Sequence, residues 1–203
     1  MRRIIPTSLF LALLVLTTPA VAAEYTIGEG SQVTYFASHP LHDVEGISTQ
    51  AEGTIQYDPA YPLEVTGLAE TAIKIAWETF DSGNQNRDAN IMDTVGAQRY
   101  PNLIFVIETL DLEADAEDEN LLTGTVTGRL YANGVRRDIQ APLTMDISDP
   151  DTLAVSTSFS VNMTDFKMKP PRLLFVAARE DVDIEARFRL VSSSKSQESL
   201  AAE

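Results

Sequence analysis

Between residues 181 and 190 the chain alternates without a break. Val182, Ile184, Ala186, Phe188 and Leu190 are apolar, and Asp181, Asp183, Glu185, Arg187 and Arg189 between them are charged. A period of two places every apolar side chain on one face of a β-strand, whereas a helix would scatter them around its circumference. The same rhythm recurs at Val33, Tyr35 and Ala37, at Ile55 and Tyr57, and at Ala69, Thr71, Ile73, Ile75 and Trp77. It continues at Leu103, Phe105 and Ile107, at Leu122, Val126 and Leu130, and at Ile139, Ala141, Leu143, Met145 and Ile147. Leu153, Val155, Thr157, Phe159 and Val161 follow in the same way. So many half-buried strands predict an all-β, antiparallel fold. About eight of them at even spacing fit either a sandwich or a closed barrel.

The interruptions are as informative as the strands. Asn133-Gly134 supplies the two positive-φ residues of a type I′ turn, which predicts a hairpin between 122–132 and 135–147. Only Thr79 to Gln98 loses the strand rhythm. There, Asn84, Asn86 or Asp88 can cap a short helix running through Ile91, Met92 and Val95 and ended by Gly96. Asp111 to Asn120 is too acidic to bury and reads as a hairpin tip. Residues 192–203 read as a frayed polar tail.

The chain opens with Met1-Arg2-Arg3, an apolar run from Leu9 to Leu16 and the small residues Val21-Ala22-Ala23. That run is far short of the roughly 20 apolar residues a spanning helix needs. Residues 1–23 therefore read as a signal peptide, cleaved after Ala22 or Ala23, and the expected location is the periplasm. One domain is expected over 24–191.

Composition removes whole classes of function. The sequence has 15 Lys and Arg against 30 Asp and Glu, for a net charge of −15, and loss of Arg2 and Arg3 with the leader makes it −17. Such a surface repels nucleic acid, whose phosphates require a basic face. The absence of cysteine excludes disulfides, thiolate nucleophiles and thiolate metal sites. There is no Gly-x-Ser-x-Gly elbow and no glycine-rich phosphate loop. His39, His42 and Asp43 form an H-x-x-H-D cluster, read as solvated in preference to metal-binding because the rest of the chain offers so few further ligands. No metal and no cofactor are expected.

Whether the interior is hollow is not decided by parity alone. Gly124 and Gly128 share a face with Leu122, Val126 and Leu130, and Ala141 and Ala186 also fall at inward positions. Small inward residues leave volume unfilled, which calls for an occupant. Equally, Trp77, Phe105, Phe159 and Phe188 can take up that space, or the glycines can mark bulges.

Several segments, in order, resemble the YceI family of exported lipid-binding proteins. Tyr25-Thr26-Ile27 with Ser31-Gln32-Val33-Thr34-Tyr35 is similar to its opening strand. Asn86 to Met92 (NRDANIM) resembles its Arg-Asp-x-His-Leu helix start. Arg99 to Phe105 (RYPNLIF) is similar to its Tyr-Pro-x-Ile-x-Phe strand entry, and Gly128 to Val135 (GRLYANGV) to its hairpin. Thr164-Asp165-Phe166 sits where the family has a short motif after the penultimate strand. The resemblance covers about residues 25 to 190. It implies an extended lipocalin-like antiparallel barrel with a helix beside its mouth, holding a long polyisoprenoid such as a quinone or its precursor. The sequence departs from the family at Asn90, where His is common, and at Val95-Gly96-Ala97, which replaces Phe-Phe-Asp.

On that reading the tunnel wall consists of Val33, Tyr35, Ile73, Ile75, Trp77, Phe105, Ile107, Val126, Leu130, Leu143, Phe159, Ile184 and Phe188. Phe166 joins them from a segment with Met168, Leu173, Leu174 and Phe175 that forms an apolar rim. Arg87, Asp88 and Asn90 stand at the polar mouth, Arg87 and Asp88 either orienting a head group or serving only as a helix start. The function expected is an exported carrier, not an enzyme. Two rivals are a hydrophobic-substrate enzyme using Arg87, Asp88, His39 or His42 as acid–base groups, and a filled barrel acting through its acidic surface on a cationic partner. Beyond the lipid, the expected partners are a transiently touched membrane and a second copy paired through an edge strand or the rim loop.

Overall fold

The computed structural model describes residues 23–58, 63, 71–173 and 175–193. The signal peptide expected over residues 1–23 therefore lies outside the described residues except for Ala23, as does the tail after residue 193. Among the described residues thirteen strands are formed: β1 (Ala23–Ile27), β2 (Gln32–His39), β3 (His42–Ser48), β4 (Ala51–Glu52), β5 (Thr54–Tyr57), β6 (Ala72–Ala76), β7 (Asn102–Ala114), β8 (Leu121–Ala132), β9 (Val135–Asp149), β10 (Thr152–Asn162), β11 (Arg172–Leu173), β12 (Val176–Ala177) and β13 (Asp181–Ser192). One helix, α1 (Gln85–Thr94), lies between β6 and β7, and short 3₁₀ turns occupy Trp77–Thr79 and Met163–Phe166.

All pairings are antiparallel, and the main sheet runs β3-β2-β13-β10-β9-β8-β7-β6-β4. Its two ends, β3 and β4, are separated by two residues of chain, so the sheet curls into a nearly closed barrel. β1 completes the wall at one end by pairing with both β13 and β5. β1–β2 and β3–β5 each act as one bent stave, which gives the eight staves that the alternation predicts.

Sequence chemistry fixes the register of the central hairpin. Asn133 and Gly134 have φ of 47° and 70°, the type I′ geometry, and the turn aligns Ala132 with Val135 and Leu121 with Asp146. A Cβ on Gly134 would overlap the Tyr100 ring, so both the positive φ and the contact require glycine. Gly134→Ala is expected to cost about 1–3 kcal/mol, read as a lower urea midpoint.

The barrel is asymmetric along its axis. At one end Tyr25, Tyr57, Leu122 and Leu153 are fully buried, and the two tyrosines meet edge to face at 6.1 Å. The Tyr25 hydroxyl donates to the Pro150 carbonyl at 2.5 Å, so its polar group is satisfied within this packed end. At the other end α1, the Met163–Phe166 turn and the β2–β3 and β11–β12 hairpins surround the opening. There the Asn133 side chain donates to the Phe166 carbonyl at 3.0 Å, tying the β8–β9 turn to the 3₁₀ segment.

Three expectations are corrected and one open question is decided. Within the described residues the strand expected to reach Trp77 is β6 alone, because Trp77 turns into a 3₁₀ helix whose first N–H donates to the Pro101 carbonyl at 2.9 Å. The acidic tip is shorter than Asp111–Asn120: β7 continues to Ala114, with Leu112 buried opposite Gly124. Only the turn at 115–120 is acidic loop, closed by the Asp115 carboxylate accepting from the Glu117 and Asp118 N–H groups. Ser192 is not frayed, since it pairs with Tyr25 and is buried. Finally, Gly124 and Gly128 do not open the interior. A Cβ on Gly124 would overlap the Asp111 carbonyl, and one on Gly128 would overlap the Val106 carbonyl and lie 2.6 Å from the Phe105 ring. Both glycines admit close backbone approach, and Gly128 does so opposite Ile107 at a β-bulge between Ile107 and Thr109, the alternative raised from the sequence.

Candidate functional site: an apolar tunnel with a polar mouth

Despite those tight glycines, the barrel is hollow. An inner chamber of about 110 Å³ and an outer one of about 400 Å³ share Val33, Leu103, Leu130 and Ile184 as a waist. The inner chamber is lined by Ile73, Ile75, Phe105, Ile107, Val126, Leu143, Phe159 and Phe188, the inward set of six strands. Tyr35, Trp77 and Phe166 line the outer chamber. All fourteen residues expected at the wall thus face one of two adjoining spaces. Ala186, expected to be small and inward, lines the inner chamber opposite Val33.

The volume is large in energetic terms. A sealed empty cavity costs about 24 cal/mol per Å³, so 400 Å³ would correspond to on the order of 10 kcal/mol. That equals the whole net stability of an ordinary domain, about 5–15 kcal/mol. An open mouth and an occupant both relieve this cost.

Helix α1 forms one side of the mouth. It begins where Asn84 accepts hydrogen bonds from the N–H groups of Asn86 and Arg87, both at 3.1 Å, and ends at Gly96, whose φ is +65°. Asn84→Ala should cost about 1 kcal/mol of stability, measured by denaturant unfolding. Arg87, Asn90, Ile91, Thr94 and Val95, spaced at helical intervals, turn one stripe of α1 to the outer chamber. Of the three expected mouth residues, Arg87 and Asn90 line the cavity. Asp88 does not; its carboxylate accepts from the Ser82 N–H at 3.2 Å and from the Ser82 hydroxyl. Arg87 donates through Nε to Ser82 Oγ at 2.8 Å and through Nη2 to the Ser82 carbonyl. Ser82 thus lies between the two charges, holding the guanidinium beside the mouth.

An aromatic group faces α1. Phe80 packs on Tyr35 at 5.6 Å and on Trp77 at 5.8 Å between ring centroids. The Tyr35 ring covers Gly46 on the neighbouring strand, where a Cβ would overlap it. Among the described residues, Tyr35 Oη and Trp77 Nε1 are buried with no hydrogen-bond partner. Burial, reinforced by the Asp88 carboxylate against the opposing effect of Arg87, pushes the Tyr35 hydroxyl up to about 12. The native state therefore keeps a proton that the unfolded chain releases near pH 10. Stability that is complete below pH 10 is lost as pH rises towards 12. Tyr35→Phe should flatten part of this decline, read as urea midpoints on either side of pH 10.

His39 also lines the outer chamber, with both ring nitrogens engaged. Nδ1 accepts from the Leu41 N–H, and Nε2 donates to the Val176 carbonyl, each at 3.1 Å. The His42 ring lies 5.5 Å away, and the Asp43 carboxylate accepts from the Ser38 hydroxyl at 2.9 Å. The cluster is built as a hairpin end, with His39 offering no free lone pair to a metal. Among the described residues no Asp or Glu lines either chamber, although acids outnumber bases two to one in the chain. Arg87 and Arg172 are the charged residues there, joined by the two histidines.

Sequence reasoning missed Phe80 and Met163, which line the outer chamber from irregular segments where no period can be read. Thr94 was detectable, being seven residues after Arg87 on the same helical stripe. The expected apolar rim divides: Phe166 and Met168 are buried in the chamber wall, whereas Phe175 is exposed. The side chains of Leu173 and Leu174 lie outside what the structure describes.

Residues 25–190 match the model of the YceI-like domain. The chain belongs to the YceI-like family. No match was found among curated proteins. Among solved structures this YceI-like chain is similar to BcnA of Burkholderia cenocepacia, with 20% identity over 78% of this chain and 95% of that one and a TM-score of 0.61. It is also similar to a polyisoprenoid-binding domain from Saccharophagus degradans implicated in plant cell wall breakdown, with 12% identity, coverage of 84% and 99%, and a TM-score of 0.65. The Campylobacter jejuni YceI protein aligns at 20% identity over 72% of this chain and 85% of its own, with a TM-score of 0.51. At these identities the likeness is one of fold. The departure from the family pattern at Asn90 falls on the wall of the outer chamber, so this YceI-like protein places a neutral amide there.

Proposed function

We propose that this protein is an exported binding protein, not an enzyme, that holds the hydrocarbon chain of a polyisoprenoid, quinone or related lipid for transport, storage or sequestration. The observation that carries the reading is the pair of apolar chambers joined at a waist inside an acidic shell. Apolar surface exposed to water costs roughly 25 cal/mol per Å², and a prenyl chain in the tunnel recovers that energy. The name of the Saccharophagus domain supports the same ligand class, and the leader-like N-terminus supports export to the periplasm.

The mouth favours a head group that accepts hydrogen bonds. Arg87 and Asn90 present donors, and among the described residues Tyr35 Oη and Trp77 Nε1 lie alongside without partners and no carboxylate lines the chamber to repel an acceptor. An enzyme built on the same mouth needs an acid–base group free to act. His39 is committed through both nitrogens, and Asp88 and Arg87 through Ser82, which favours binding over acid–base chemistry at those three groups.

Displacement of a fluorescent fatty probe by prenyl alcohols of increasing length tests the reading. Affinity should rise by roughly 0.8 kcal/mol per buried methylene and then level off when the tunnel is full. Affinity independent of chain length would contradict it.

A further inference from the structure

At the mouth, two hairpin tips stand side by side. The β2–β3 tip carries Leu41, 57% exposed, and the β11–β12 tip carries Phe175, 94% exposed, beside Val176. They are joined by backbone, since the Arg179 N–H donates to the Ser38 carbonyl at 2.8 Å and His39 donates to the Val176 carbonyl at 3.1 Å. Elsewhere the exposed large apolar residues Leu63 and Phe36 stand apart from this pair, whereas Leu41 and Phe175 stand on two tips joined by hydrogen bonds, and an exposed apolar patch of this kind marks an interaction surface.

Charge separates this face from the remainder of the molecule. Residues 163–180 contain Lys167, Lys169, Arg172 and Arg179 against Asp165 and Glu180, in a chain whose net charge is −15. All four cations are exposed. Asp43 and Glu45 lie on the neighbouring β3, Asp43 being bonded to Ser38. With Asp88 and Asp93 on α1 at the same end, the cationic excess lies in residues 163–180, so an anionic surface attracts that segment and repels the body, which orients the molecule as well as holding it.

We propose that Leu41 and Phe175, ringed by Lys169, Arg172 and Arg179, form the face by which the protein sits mouth-down on an anionic lipid bilayer. The proposal rests on the reading of the tunnel as a lipid site, because a bilayer is where such a ligand is exchanged. Seated this way, the outer chamber opens directly into the acyl region, and a hydrocarbon chain passes between bilayer and barrel without crossing water.

Flotation with phosphatidylcholine vesicles, with and without phosphatidylglycerol, tests the face. Three chains are compared, each as the expressing cell processes it: wild type, Leu41→Ser/Phe175→Ser, and Lys169→Glu/Arg179→Glu. None of the four altered residues lines either chamber, so urea midpoints and lipid recovered in organic extracts should stay unchanged. Wild type should float with the phosphatidylglycerol vesicles, less so as salt rises, and each variant should lose about tenfold or more in partitioning. Equal partitioning of wild type and variants overturns the proposal, as does a preference for uncharged vesicles. A dimer that forms through this face in sedimentation, lost in Leu41→Ser/Phe175→Ser while vesicle binding is absent, overturns it in favour of a second copy. Variant-sensitive flotation by a protein whose extract holds no lipid upholds the face and counts against the tunnel reading instead. Lipid in the extract with no flotation does the reverse.

Discussion

Val33→Phe and, independently, Ile184→Phe should abolish high-affinity binding of long prenyl chains while leaving short ones nearly unaffected. Both residues line both chambers, and if a chain threads from one to the other a phenyl ring there blocks it. A short chain needs only the outer chamber. A long one loses whatever it places in the inner chamber, and displacing one isoprene unit costs about 4 kcal/mol at roughly 0.8 kcal/mol per carbon. That is close to a thousandfold in affinity. Overpacking a core position costs about 1–3 kcal/mol of stability, so each variant is to be shown folded by its urea transition before titration. The difference between long and short probes is the readout, which general destabilisation would not produce. Equal loss for both lengths, or no loss for the long chain, would mean that the chambers are not used as one tunnel.

Gly124→Ala should lower the folding stability by about 3 kcal/mol or more, among the largest effects of any single methyl in the barrel. The added Cβ meets the Asp111 carbonyl and the Leu112 backbone, main-chain atoms that cannot rotate away. Relief requires β7 and β8 to separate along a ladder that runs from Ile104–Tyr131 to Ala114–Leu122. Gly83→Ala is the control: nothing lies within 4 Å of its Cβ, and only its φ of +75° is strained, a cost of about 1 kcal/mol. Urea midpoints at constant slope give both numbers. A Gly124→Ala protein within 0.5 kcal/mol of wild type, on the order of an ordinary surface change, would mean that the two backbones are not in contact there.

The same glycines show what could and could not be read before the structure was known. Alternation places a side chain inside or outside, and the wall residues on strands, from Val33 to Phe188, were legible on that basis because the pleat has a period of two regardless of tertiary context, whereas Trp77 and Phe166 sit in 3₁₀ turns. The inward parity of Gly124 and Gly128 was correct, and of the two readings it left open, unfilled volume or close strand contact, the structure shows the second. The missing side-chain volume is taken up by the neighbouring strand and by Phe105, which depends on strand separation and coiling that a one-dimensional pattern does not encode. The hollow arises instead from the barrel's girth and from α1 standing at its open end. Asp88 illustrates a second limit. Its place at the start of α1 was legible, yet which of Arg87 and Asp88 faces the chamber depended on Ser82, a residue with no motif to reveal it. Phe80 and Met163 were hidden because they sit in 3₁₀ or extended connections, where neither period applies.

The central claim is that the barrel is a container for hydrocarbon. Its most direct test is mass spectrometry of an organic extract from protein purified without detergent, with the amount of lipid measured against protein. A prenyl or other long-chain lipid approaching one molecule per barrel is the predicted result. An extract free of such lipid, from protein that also fails to take up an added polyprenyl chain, would contradict it.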